Sequence, residues 1–511
     1  MTQGIEAAAA SDQIPQSNLT HRYLRAAVDS LLRGGASLVI SGLVPMLLAR
    51  YLGPHDYGMY SIITALSVMM AGLMHLGQNS PLHKLLPEYA VNDRSRAGAL
   101  LSTVVLITLG IAAIVSLIFL ASAPLLAAKF YHDATLTPFL RFCAALIFVT
   151  TLLSLASSSA AGMQDFQAYN STMLLRATLL IGGALGGAIW WGAWGALIGQ
   201  FVACVVSALW LLQRVARRAH QQFPQLARPS FSRELLQPLG AFVLPAFVMI
   251  VLHSPGFWWA NSVVARSQGF AQAGMFSAAY GLLQLISLAP FNFYVPALTF
   301  LSEAQAATDS ATFQHMVLRS VRGMWFLTLP LSLGCALFSP LLIQVFFGPK
   351  YLAATSAALL MSLAGLPMAL VGLLNVVLTA AGRIWSACLL SFGGLLGFVV
   401  TGSLLIPRWG ATGAAATFAL VYTVYVLTLL LYLRFALQLQ LQELWRPAAL
   451  TIGSGFVAIL LSVTCTGLSL YLAAIALLAM TAIIGVLWVC DETERSICEL
   501  GVAKFRQVVW S

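Results

Sequence analysis

Long apolar runs, separated by short polar turns, fill almost the whole chain. A membrane-spanning helix needs about 20 apolar residues. Fourteen runs of that kind can be marked, at 27–49, 57–77, 97–122, 138–160, 171–190, 192–213, 236–254, 273–298, 321–345, 354–380, 385–406, 410–433, 448–466 and 468–490. The stretch 257–265 extends the seventh run. The longest polar connection is "RVARRAHQQFPQLARPSFSREL", 22 residues between the sixth and seventh runs. It is basic and contains proline, which suits a linker between two halves. No connection has room for a soluble domain, so any chemistry takes place within the membrane.

A phrase recurs along this pattern. "ARYLGPHDYGMYS" at Ala49–Ser61 and "ARSQGFAQAGMFS" at Ala265–Ser277 share the form A-R-x-x-G-x-x-x-x-G-M-aromatic-S, 216 residues apart. "WGAWGA" at Trp191–Ala196 echoes in "WGATGA" at Trp409–Ala414, and "AAG" at Ala160–Gly162 echoes at Ala380–Gly382. The spacing corresponds to six runs, an even number, so both copies enter the membrane in the same direction. That is a parallel repeat, one of the two repeat types of transporters. The expected division is a cytoplasmic tail at 1–26, a six-helix lobe at 27–213, a linker at 214–235, a second six-helix lobe at 236–434, two additional helices at 435–490 and a cytoplasmic tail at 491–511. Pro45, Pro245, Pro290, Pro296, Pro330 and Pro367 fall inside runs and predict interruptions or bends.

Charge orients the pattern. With the N-terminus in the cytoplasm, 19 of the 26 Lys and Arg residues fall on the inner side, six on the outer side, and Arg176 lies within a run. The excess of positive charge inside supports this orientation. The net charge of +10 then follows from topology and does not point to nucleic acid. Charged residues make up 8% of the 511 and hydrophobic ones 60%, whereas a soluble domain carries about 25% charged residues. The opening "MTQGIEAAAASDQIPQSN" lacks a basic segment followed by an apolar core, so the first apolar helix is expected to direct insertion. The seven cysteines have no C-x-x-C spacing and read as small packing residues. Neither a metal nor a cofactor is expected.

Ionisable residues inside membrane helices are costly and tend to face cavities. Asp29 and Arg33 stand at i,i+4 spacing in the first run and can pair on one helix face. Arg176 falls about 7 Å into the fifth run from its inner end, at 1.5 Å per residue. Both arginines are expected near headgroup level, where guanidinium matches phosphate oxygens in a bidentate manner. The competing reading is that they snorkel to the headgroups. His75, Gln78, Asn79, His253, Tyr280, Gln284, Asn292 and Tyr294 add amide, imidazole and aromatic groups suited to sugar hydroxyls and ring faces. The competing reading there is interhelical hydrogen bonding. His75 can alternatively carry protons. Arg50 and Arg266 read as anchors at the outer interface.

"LLARYLGPHDYGMYSI", "LGQNSPLHKLLPEYA" with its acidic residue and tyrosine at Glu88 and Tyr89, the second copy "AGMFSAAYGLLQLISLAPFNFYVPALTFLSEA", and "FFGPKYLAATSAALLM" resemble the Wzx-type oligosaccharide flippases and polysaccharide exporters. These belong to the superfamily that also holds multidrug extruders and lipid II flippases. The resemblance implies an all-α fold of about fourteen helices, with two six-helix lobes forming a V-shaped cavity and rocking between inward-open and outward-open states. It implies a polyprenyl-pyrophosphate-linked oligosaccharide as cargo, moved from the cytoplasmic to the outer leaflet of a bacterial inner membrane. The partners it implies are that lipid, membrane lipids, a polysaccharide polymerase and a chain-length regulator. Two readings on the same fold stay open: a cation-coupled multidrug extruder, which would be expected to place a carboxylate deep in a lobe, and a lipid II flippase. There is no P-loop, no H-E-x-x-H and no loop able to carry a transferase domain. An enzyme is therefore not expected.

Overall fold

The structure is a computed structural model. It describes residues 16–74, 79–223, 229, 231–253, 255–306, 310–439, 441–465 and 467–485, with backbone alone along 16–41. Among these residues there are helices and no strand. That outcome follows from the solvent: in lipid, a helix satisfies its own backbone polar groups, which an open strand cannot do.

The first half contains α1 (Gln16–Met74), α2 (Asn79–Asn92), α3 (Arg94–Leu125), α4 (Thr137–Gly162), α5 (Phe166–Leu179) and α6 (Gly186–Gln222). The second half contains α7 (Arg233–His253), α8 (Pro255–Gln268), α9 (Phe270–Ala306), α10 (Ser310–Leu337), α11 (Ser339–Phe346), α12 (Thr355–Leu363), α13 (Gly365–Ala380) and α14 (Ile384–Leu437). α15 (Trp445–Thr464) and α16 (Leu468–Ile484) follow. Among the described residues, nine helical stretches are long and apolar enough to cross a membrane. Three of them carry the chain through two of the expected runs each.

Glycines mark the breaks within those three. α6 leaves helical geometry at Trp191–Gly192 and α14 at Gly410, where the glycines have φ of 57° and 54°. These two residues occupy the same place in the two echoes "WGAWGA" and "WGATGA". A side chain there would strain the backbone. α1 breaks similarly at Gly53, with φ of 75°. The prolines interrupt no helix. Pro45, Pro290, Pro296 and Pro330 lie inside continuous helices, Pro245 lies within α7, and Pro367 sits in the first turn of α13. None of them ends a helix, so the chain reverses at glycine.

The most extensive contact between elements is α1 with α9, the helices that carry the repeated phrase. Equivalent positions of the two copies meet there. A Cβ on Gly58 would lie 1.9 Å from the Phe270 carbonyl oxygen, and a Cβ on Gly274 would lie 1.9 Å from that of Pro54. Ser277 Oγ donates to Ser61 Oγ at 2.8 Å, joining residues 216 apart. Small residues let two backbones cross this closely. Reciprocal contact of equivalent patches is also the signature of a two-fold interface.

Flanking contacts repeat the pattern. Arg50 donates to the Val345 carbonyl at 2.9 Å, and Arg266 lies over the Phe130 ring at 5.7 Å. Tyr351 OH donates to the Ala49 carbonyl at 2.9 Å, and Tyr131 OH meets Ser262 Oγ at 2.9 Å. The two phrase arginines therefore each hold the opposite half, beyond the interfacial anchoring expected of them. α15 and α16 pack on α10 through Trp325, Leu329 and Leu333 against Ala458, Leu470 and Ala474. The Arg322–Glu443 ion pair at 2.7 Å closes the end of that layer.

Candidate functional site

A cavity of about 130 Å³ opens in the second half, where the end of α7 and the start of α8 face α9, α13 and both arms of α14. Its polar lining comes from His253, Tyr280, Ser391, Tyr422 and Tyr425, and its apolar walls from residues such as Phe257, Phe398 and Phe418. Phe257 stacks on Tyr280 with ring centroids 4.0 Å apart, and Phe418 stacks on Tyr422 at 5.8 Å. These stacks fix two phenol rings as rigid walls.

Some of the polar atoms are already committed. Ser391 Oγ and Tyr425 OH lie 2.6 Å apart, and His253 Nδ1 lies 3.0 Å from the Met249 carbonyl. That second contact requires the proton on Nδ1 in the neutral ring, which leaves Nε2 as an acceptor. The hydroxyls of Tyr280 and Tyr422 have no hydrogen-bond partner among the described residues. The cavity thus offers two phenol hydroxyls and one imidazole nitrogen between aromatic faces. Among the described residues, no carboxylate, lysine or arginine lines it. Such a surface suits the face and hydroxyls of a neutral polyhydroxylated ring.

The structure brings Tyr280 and His253 together, as two of the expected polar positions. Gln284 is exposed one turn further along α9. Tyr294 is used structurally, donating to the Ala369 carbonyl at 3.0 Å. Asn292 lies on α9 and Asn79 opens α2, with their side chains outside the described residues. His75 and Gln78 lie wholly outside the described residues. Asp29 and Arg33 sit four residues apart on α1, where only the backbone is described.

Arg176 is placed differently from the expectation. Its helix begins at Phe166, capped by Asp165, whose side chain accepts from the Ala168 N–H at 3.1 Å. Arg176 therefore lies about 15 Å along the helix at 1.5 Å per residue, not 7 Å. It lies beside Cys204 and close to Tyr60, inside the first half. The polar turn "MQDFQAYN" reads as a loop, but it already holds the cap and the first turns of helix, which explains the error.

One pair of site residues went unnoticed in the sequence. Tyr422 and Tyr425 stand three apart in "VYTVYV" and were legible as polar groups inside an apolar run.

The chain matches the family described as polysaccharide biosynthesis protein over residues 47–356. The chain belongs to this family. Among curated proteins it is 26% identical over 370 residues to the EPS I polysaccharide export inner membrane protein EpsE of Ralstonia solanacearum, covering 70% of this chain and 81% of that one. Among solved structures it is similar to the lipid II flippase MurJ in an inward closed conformation. There the TM-score is 0.70 at 14% identity, with 90% of this chain and 98% of the other covered. It is also similar to an inward-facing multidrug resistance MATE family transporter of the MOP superfamily. In that case the TM-score is 0.65 at 14% identity, covering 78% and 94%. These two structural likenesses show the fold. Family and fold together make this a membrane transporter of the polysaccharide biosynthesis and export class.

Proposed function

We propose that the protein is a flippase that moves a polyprenyl-pyrophosphate-linked oligosaccharide from the cytoplasmic to the outer leaflet of a bacterial inner membrane. The product would feed the synthesis of a cell-surface polysaccharide, an O-antigen, capsule or exopolysaccharide. The observation that carries this reading is the family match over residues 47–356, laid on a fold shared with transporters. The name of the Ralstonia relative, an inner membrane export protein, supports the location and the polymer class. The aromatic and hydroxyl lining around Tyr280 and Tyr422 is suited to a sugar ring.

In this reading the halves 27–213 and 236–434 act as lobes that rock about the α1–α9 crossing, and 435–490 travels with the second lobe. The sugar chain enters from the cytoplasmic side. One ring lies between the tyrosine faces, with Gln284 and Asn292 on the approach along α9. Arg33, paired with Asp29, takes the pyrophosphate at the inner headgroup level, and His75, Gln78 and Asn79 line the same inner end. Arg176, on α5, joins Arg33 in taking the pyrophosphate. Both termini are cytoplasmic. A polymerase and a chain-length regulator would receive the flipped lipid.

Native mass spectrometry of the protein in mild detergent, purified from its own membranes, tests the reading. The expected result is a retained polyprenyl-pyrophosphate glycan, reduced in Arg33→Ala. Failure to retain such a lipid even when it is added, with saturable binding of an organic cation instead, would overturn it in favour of a drug extruder.

A further inference from the structure

The two helices that carry the repeated phrase share one hydroxyl with a third helix. Ser61 in α1 is 8% exposed, and its Oγ accepts from Ser277 Oγ of α9 at 2.8 Å and from Asn261 Nδ2 of α8 at 3.0 Å. The same Oγ donates to the Gly58 carbonyl at 2.9 Å. A hydroxyl has one proton and two lone pairs, so Ser61 is fully used. Ser277 is 4% exposed and Asn261 is fully buried. The cluster lies inside the packing and joins the first half to the second.

One atom of the cluster is left over. Asn261 Oδ1 is buried and has no hydrogen-bond partner among the described residues. Other polar groups that reach across between the halves are met: Arg50 by the Val345 carbonyl, Tyr351 by the Ala49 carbonyl and Tyr131 by Ser262. A buried acceptor without a donor loses its full hydration, whereas a hydrogen bond made on burial only replaces one to water. Closing the crossing therefore gains a little through Asn261 Nδ2 and loses more through Asn261 Oδ1.

The repeat shows that the close approach does not require this amide. Asn261 stands 216 residues after Pro45, whose side chain can neither donate nor accept. The first copy thus makes its side of the crossing without a polar side chain at that place. Ser61 does not need the amide either, since it still accepts from Ser277 and donates to the Gly58 carbonyl without it. When α1 and α9 separate, water reaches both ends of the amide and the penalty on Oδ1 disappears.

We propose that Asn261 is a release residue: its unmet oxygen weakens the closed α1–α9 crossing that the Ser61–Ser277 bond holds, and so keeps an open form within reach. This rests on the rocking proposed above and not on the identity of the cargo. The two donors to one hydroxyl then act in opposite directions, Ser277 holding the crossing and Asn261 releasing it.

The test is the distance distribution between spin labels at the exposed Lys129 and Arg408, one in each half, in the full-length protein in lipid nanodiscs. Asn261→Ala and Asn261→Thr both remove the amide. Threonine also keeps the volume and can turn its hydroxyl back to the carbonyl four residues earlier. The expected result is a long-distance component about 5-fold smaller in both variants and about 5-fold larger in Ser277→Ala. An amide that merely held the halves together would move the distribution the same way as Ser277→Ala, and that outcome would overturn the proposal. An unchanged distribution in Asn261→Thr would do the same. If Asn261→Ala does not fold, the threonine variant carries the test. If the wild-type long component is too small to shrink measurably, the comparison is made in Gly58→Ala, where the open form is enlarged. A single short distance in every variant would defeat the release role and the rocking together, whereas a long component indifferent to Asn261 would defeat the release role alone.

Discussion

Substituting alanine for Gly58 tests whether the α1–α9 crossing holds the two halves together at that end. The new Cβ would stand 1.9 Å from the Phe270 carbonyl oxygen. An ordinary carbon–oxygen contact is about 3.4 Å, so the helices must separate by about 1.5 Å. Ser61 lies one turn further along α1 and accepts from Ser277 at 2.8 Å. Separation on that scale takes this hydrogen bond beyond its geometric limit. Losing it costs about 1 kcal/mol, and forced overpacking adds at least about 1 kcal/mol. A penalty of about 2 kcal/mol borne by the closed crossing alone shifts the population of an open form about 30-fold. Spin labels at the exposed Lys129 and Arg408, one in each half, would report it as a longer distance distribution. Gly274→Ala should act alike, because its Cβ meets the Pro54 carbonyl oxygen at the same 1.9 Å. An unchanged distance distribution in a Gly58→Ala protein that folds normally would refute the reasoning.

Cysteines at positions 61 and 277, whose hydroxyls now lie 2.8 Å apart, should form a disulfide on oxidation and stop transport until reductant is added. Transport at full rate with the bond formed would show that the crossing does not open. Tyr280→Phe and Tyr422→Phe remove hydroxyls with no partner among the described residues, so Tm should hold while glycan retention falls about 2- to 10-fold per hydroxyl. Tyr425→Phe breaks the 2.6 Å contact with Ser391 and should instead lower stability by about 1 kcal/mol; denaturation series on the three variants separate the two effects. Glu443→Gln weakens the charge-assisted bond to Arg322 and should loosen α15 and α16 from α10 at a cost of about 1–3 kcal/mol. Limited proteolysis between residues 438 and 445 would detect the loosening, and unchanged cleavage would count against it.

The helical fold and the repeat were legible because lipid imposes one solution on each apolar run, and because a crossing of two backbones demands small residues at fixed places. Gly58, Ser61, Gly274 and Ser277 announce themselves as a phrase for that reason. Helix boundaries were less legible. Asp165 caps α5 before the apolar run begins, so Arg176 stands further along its helix than the run suggested. The prolines misled in the opposite direction: within lipid-embedded bundles a helix can pass through proline, and the turns at Gly192 and Gly410 depend on φ values that only the echoed "WGA" hinted at. Half of the tyrosine cavity escaped because an aromatic residue in an apolar run looks like packing until its place in a cavity wall is seen. Tyr294 shows the converse, since its hydroxyl is spent on the Ala369 carbonyl.

The repeat is symmetric where the halves touch and divergent where they enclose space. At the crossing, Gly58 and Gly274 have the same role, and Ser61 and Ser277 bond to each other. Further in, Thr64 corresponds to Tyr280, Gln200 to Phe418 and Cys204 to Tyr422. On the first-half side these positions carry hydrogen bonds to an amide. On the second-half side they carry ring contacts, with Tyr280 and Phe418 5.9 Å apart and Phe276 and Phe418 6.0 Å apart. A crossing that serves as a pivot must fit in both directions, which constrains both copies alike. The interiors carry no such constraint, and each can specialise. One holds hydrogen bonds around the buried Gln200 amide, and the other is an aromatic cleft. If the crossing is the pivot of the proposed rocking, a ligand held by either interior biases that motion only to the extent that its affinity differs between the end states.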